Sequence, residues 1–146
     1  MEKKLLIVVN ETNQNFKFVN KECDNDERQI QPNASSSLAS INLTPGQYEA
    51  GCDIPDCSAS EYFDAHHMAF INPNNNSEEI PAFCFWYDDD QNQYYYTTTG
   101  KYNTDSKNGE TNKIIPGNVS SSESRKAIYI KNDGTLLITD IYNKKE

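Results

Sequence analysis

The stretch from Ile80 to Thr99, IPAFCFWYDDDQNQYYYTTT, concentrates the side chains best suited to recognition. It holds the single tryptophan and four of the nine tyrosines of the chain. Asp88, Asp90 and Asn92 belong to a run of hard oxygen donors, Asp88-Asp89-Asp90-Gln91-Asn92, that could ligate Ca²⁺. That run does not complete the helix-loop-helix calcium pattern, because no glycine stands sixth from Asp88 and Thr99 occupies the place of a bidentate glutamate. Its simpler reading is a solvated turn between two aromatic strands, so calcium is the candidate ion and no other cofactor is expected. The flanking rings offer a second chemistry. Trp86 and Tyr87 before the turn, and Tyr94, Tyr95 and Tyr96 after it, each pair a flat apolar body with a polar tip, which stacks on sugar rings or settles at a lipid headgroup boundary.

Other reactive side chains form no recognisable constellation. His66 and His67 are adjacent, so on a strand they point to opposite faces and cannot chelate one ion together. Cys52 and Cys57 with a histidine match no standard zinc spacing. Of the four cysteines, Cys23, Cys52, Cys57 and Cys84, the expectation is reduced and mostly buried thiols, with a local Cys52–Cys57 bridge as the alternative. The chain contains no nucleophile elbow, P-loop, zinc-protease helix or dinucleotide fingerprint, and a non-catalytic protein is expected.

The elements that must position these groups are short and alternate at a period of two. Leu5 to Val9 is a continuous apolar run, and Phe16 and Phe18 alternate with Lys17, which suggests an N-terminal hairpin. Residues 20–37 are acidic, then Asn- and Ser-rich, and read as a surface loop. Ala39, Ile41 and Leu43 form a half-buried pattern, continued after Thr44-Pro45-Gly46 by Tyr48, Ala50 and Cys52. A single helical turn is conceivable at 58–63. Strand chemistry resumes from Ala65 to Ile71 and is stopped by Pro73. In the aromatic stretch, Phe83, Phe85 and Tyr87 share one strand face and Cys84 and Trp86 the other; one face has to enter a core, and the other either packs as well or, left open, is the expected ligand surface. Near the end, Asp133-Gly134 signals a two-residue type I′ hairpin. That loop sets Ile130 opposite Leu137 and Tyr129 opposite Ile138. The whole reads as an all-β, single-domain antiparallel β-sandwich over residues 1–146 with little or no helix.

Thirteen basic and 22 acidic residues give a net charge of −9. Such a surface repels phosphate, which argues against nucleic acid and leaves membrane lipid, glycan or a second copy of the chain as partners. The apolar run at Leu5 to Val9 is too short for a signal peptide, so the expected product is soluble and cytoplasmic, or released by a non-classical route. The sequons at Asn10, Asn33, Asn42, Asn75 and Asn118 then follow from composition.

Three segments resemble the aegerolysins, small acidic β-sandwich proteins: the opening LLIVVNET, the aromatic-then-acidic AFCFWYDDD, and the closing GTLLITDIYNKKE. The resemblance implies a fold related to the sea-anemone cytolysins and recognition of particular membrane lipids, sometimes with a larger pore-forming partner. By position it places Trp86 and Tyr87 near a lipid-facing aromatic cluster. The expected function is therefore lipid binding of the cytolysin type, with a carbohydrate-binding lectin or a self-assembling structural protein as alternatives.

Overall fold

Alternating side chains become two stacked sheets in a computed structural model, which describes residues 4–20, 26–37, 52–54, 68–75, 82–88, 92–98, 113–120, 123 and 125–141. The elements are β1 (Lys4–Asn10), β2 (Phe16–Asn20), β3 (Asp26–Ile30), β4 (Ala34–Ser37), β5 (Cys52–Asp53), β6 (Met68–Ile71), β7 (Phe83–Asp88), β8 (Gln93–Thr97), β9 (Lys113–Ile114), β10 (Arg125–Ile130) and β11 (Leu136–Asp140). Among the described residues there is no helix, and the fold is all-β.

The first sheet runs β11-β10-β1-β4, with β5 also paired to β1, and the second runs β3-β2-β6-β7-β8-β9. Their facing sides form one core. Val8, Ile128, Ile130, Leu136 and Ile138 from the first sheet meet Phe16, Phe18, Phe70, Phe83, Phe85, Tyr87, Tyr94 and Tyr96 from the second. Rings knit the second sheet together across its strands, with Phe70 stacked on Phe85 at 5.0 Å and Tyr87 against Tyr94 at 4.8 Å. Such pairs add about 0.5–1.5 kcal/mol each beyond the area they bury.

Four expectations are corrected. β1 and β2 do not form a hairpin, since they lie in different sheets. Both edges of β1 are already taken, by β10 on one side and by β4 and β5 on the other, so the chain crosses to the second sheet. The β1–β10 pairing is parallel, which makes the first sheet mixed rather than antiparallel throughout. Residues 26–30 and 34–37 are strands and not loop. β3 is an edge whose Glu27, Arg28 and Gln29 are exposed while Ile30 is buried against Phe16, and charge on an edge strand blocks sheet-to-sheet aggregation without preventing pairing.

The fourth correction is one of register. Ile130 pairs with Leu136, Tyr129 with Leu137 and Ile128 with Ile138, one residue away from the two-residue turn. The Gly134 amide donates to the Lys131 carbonyl at 3.1 Å and the Lys131 amide to the Thr135 carbonyl at 2.8 Å. This is a three-residue loop, a turn centred on Asn132 and Asp133 followed by Gly134 in the left-handed region at φ 84°. Asp133 Oδ1 accepts from the Thr135 amide and hydroxyl, at 3.2 and 2.6 Å, and this local bonding favours the longer loop. A further irregularity lies between Leu5 and Ile7, where the β1–β10 register shifts and Leu6 becomes the extra residue of a bulge. The bulge lets Leu5 and Val8 share the inner face despite their odd spacing.

Outside the described residues lie the strand expected at Ala39 to Leu43, Tyr48 and Ala50, the helical turn at 58–63, and residues 65–67 of the strand whose remainder is β6.

Two glycines make opposite demands. A Cβ at Gly134 meets nothing within 4 Å, whereas a Cβ at Gly117 would fall on the Ile138 carbonyl oxygen, beside the 2.9 Å bond from the Ile138 amide to the Pro116 carbonyl. Gly134→Ala is therefore expected to cost about 1–2 kcal/mol, from backbone conformation alone. Gly117→Ala should cost clearly more, because backbone must move. Urea unfolding of the two variants checks the order, and equal losses would contradict this packing.

Candidate functional site

The expected aromatic surface is interior. Trp86 is 0% exposed, Tyr87 7%, Tyr94 5%, Tyr95 7% and Tyr96 3%. Tyr87, Tyr94 and Tyr96 belong to the core between the sheets. Trp86 lies on the opposite face of β7 with Cys84, its ring stacked on Tyr95 at 6.1 Å, and this second cluster is equally buried. Both faces of β7 are thus covered. Among the described residues the large apolar side chain left exposed is Ile114. The reading of an open ring-rich face is corrected accordingly: alternation divides the rings between two faces but does not say that either stays open.

The acidic hairpin itself is present, with Asp88 paired to Gln93 across the turn. Asp88 is buried, Asn92 adopts φ 52°, and the Asn92 Oδ1 accepts the Tyr87 hydroxyl proton at 2.7 Å. Asp90 lies outside the described residues, as do Tyr102, His66, His67, Cys23 and Cys57. Cys84 is wholly buried. Among the described residues no group of three or more acidic, histidine or cysteine side chains is arranged to hold a metal.

The described concavity lies elsewhere, at the end of the sandwich where the β1–β2, β6–β7 and β10–β11 connections meet. It is a pocket of about 290 Å³, close to the lower bound of about 300 Å³ typical for small-molecule sites. Thr12, Asn13, Gln14, Asn72, Asn75, Lys131 and Asn132 supply its polar lining, and Phe16, Ala82, Phe83 and Ile130 its apolar floor.

A hydrogen-bonded amide network holds the walls. Asn10, wholly buried at the end of β1, donates through Nδ2 to the carbonyls of Gln14 and Gln31, at 2.8 and 3.1 Å. Its Oδ1 accepts from the Thr12 amide at 3.0 Å and hydroxyl at 2.7 Å. Three of the four bonds of this buried amide shape the 11–15 turn, and the fourth ties it to Gln31, after β3. The network crosses to the next loop through Asn72, whose Nδ2 donates to Gln14 Oε1 at 2.6 Å while its Oδ1 accepts from the Asn74 amide at 3.0 Å. On the third loop, Lys131 Nζ is paired with Glu11 Oε1 at 2.9 Å.

Sequence reasoning missed this site because its residues sit in three connectors that read as turns. The signal was there as amide density, in Asn10-Glu11-Thr12-Asn13-Gln14 and Asn72-Pro73-Asn74-Asn75. Only the crossing of β1 to β2 between sheets brings those connectors together.

No protein-family model, curated protein or solved structure matches the chain. Among the described residues no helix is long and apolar enough to cross a membrane.

At the other end of the sandwich, burial first, then Tyr87, then Asp140 push the Tyr94 phenol well above its ordinary 10.0. Burial likewise raises Tyr95, with Asp88 adding to it, and raises Tyr96 against an opposing hydrogen bond from the Leu136 backbone.

These placements give two expectations. Trp86 fluorescence should be blue-shifted and poorly quenched by acrylamide, and should not change with liposomes; efficient quenching would restore the exposed face. A raised folded-state value means the neutral phenol is favoured in the native protein, so this stability is intact below pH 10 and falls as pH rises above it. Alkaline titration should therefore show Tyr94 ionising only with unfolding, and Tyr94→Phe should flatten the alkaline loss. Ionisation of every tyrosine near pH 10 in the folded protein would contradict the burial.

Proposed function

We propose that the chain is a non-catalytic binding protein whose end pocket takes a neutral, hydroxyl-rich ligand, a carbohydrate. The observation that supports this is the lining. Asn13, Asn75 and Asn132 present side-chain amides, each with donors and an acceptor, and Gln14 adds its amide nitrogen. Adjacent sugar hydroxyls, which also donate and accept, are the complement of such a wall. The apolar floor suits the C–H face of a sugar ring, and the loop cross-bonds from Asn10 and Asn72 reduce the ordering cost of binding. The one lysine at the rim is already paired with Glu11, and the overall acidity disfavours anionic ligands.

Lipid recognition of the aegerolysin type has weaker support, since the rings it would use at Trp86 and Tyr87 are buried. A lipid headgroup held in the same pocket is the form in which that reading stands, and vesicles distinguish it.

On a glycan array, binding to neutral glycans competed by the free sugar is expected. Asn13→Ala and Asn75→Ala should each weaken it about 3- to 10-fold, the value of one hydrogen bond to a neutral group. Ala82→Trp, which fills the pocket, should abolish it. Unchanged binding in the filled variant, or cosedimentation with zwitterionic vesicles and no glycan binding, would overturn the carbohydrate reading.

A further inference from the structure

Opposite the pocket, where β10 starts and β11 ends, a lysine and an aspartate are buried together in a setting that exceeds what an ion pair needs. Lys126 is 0% exposed and pairs directly across the strands with Asp140. Its Nζ donates to Asp140 Oδ1, to the Ser120 carbonyl at 3.0 Å and to the Glu123 carbonyl at 2.5 Å. An ammonium has three protons; backbone carbonyls hold two of them, and the third lies on the carboxylate. Passing that third proton to Oδ1 leaves a neutral amine whose lone pair faces the carboxyl group it has just protonated.

One more group completes the arrangement. The Ser120 amide donates to Asp140 Oδ2 at 2.7 Å, where negative charge would develop if Nζ added to Cγ.

We propose that Lys126 and Asp140 condense into an intramolecular amide, with the Ser120 amide holding the oxyanion. The Nζ–Cγ bond forms and the Cγ–Oδ1 bond breaks. Of the three ammonium protons one stays on the amide nitrogen and two leave on Oδ1 as water, both by direct transfer from Nζ. The step is redox-neutral and needs no co-reactant. Its product ties β10 to β11 covalently at the end remote from their turn, and it does not depend on what the pocket binds.

Intact-mass spectrometry of the folded, purified chain tests it. The expected mass is one water below that of the sequence, with a branched tryptic peptide joining the segments that contain Lys126 and Asp140. Asp140→Asn should lose one ammonia instead, and Lys126→Met, which removes the nucleophile, should keep the full mass of its sequence. The full sequence mass after prolonged incubation, with Lys126 and Asp140 recovered in linear peptides, would overturn the proposal even if every variant failed to fold.

Discussion

An ammonium with no access to water must have every proton hydrogen-bonded, and the first sheet is arranged around meeting that demand for Lys126. Its side chain continues the inward row of Ile128 and Ile130, so it cannot reach solvent without breaking the alternation of β10. Asp140 answers it only in the observed register; a two-residue turn at Asp133-Gly134 would have set Ile141 opposite the lysine and stranded the charge. Losing one partner of a buried pair costs about 3–5 kcal/mol, comparable with much of a small domain's stability. The same register aligns Ile128 with Ile138 and Ile130 with Leu136. It also lengthens the turn, so that Lys131, Asn132 and Gly134 stand at the mouth of the pocket. A charge at one end of the hairpin and a binding wall at the other are thus tied by a single choice of pairing.

The second sheet contributes mass where the first contributes registration. Its rings fill the space between the layers and, through Trp86 and Tyr95, also the opposite face of the same strands. Aromatic side chains bury about 150–250 Å² apiece, which suits a chain with only 36% hydrophobic residues. Employing the rings in packing leaves recognition to the amides. The polar connectors that a lean composition makes abundant become the site, once Asn10 and Asn72 fix their geometry.

What could be read from the chain beforehand follows the physics of each segment. A strand such as Phe16 to Phe18 declares itself by alternation, Phe83 to Tyr87 by its density of aromatic rings, and so did the all-β class. β3 and β4 were illegible because edge strands need little apolar content: Ile30 alone enters the core from β3. The last hairpin was visible and its register was not, since Asp-Gly serves a two-residue turn and also the tail of a three-residue one, and the difference rests on Asn132 and on the Asp133–Thr135 bonds. A parallel partner for β1 more than a hundred residues away leaves no local mark. The pocket was hidden for a related reason, its walls being turn residues that a sheet crossing brings together.

The central claim is that recognition belongs to the amide-walled end of the sandwich and not to the aromatic hairpin. Backbone amide shifts followed by NMR during titration with a neutral glycan that the protein binds test it most directly. The account predicts perturbations confined to residues 11–16, 72–75, 82–83 and 130–134. Shifts centred on Trp86, Tyr94 and Tyr95, with the end loops unmoved, would contradict it.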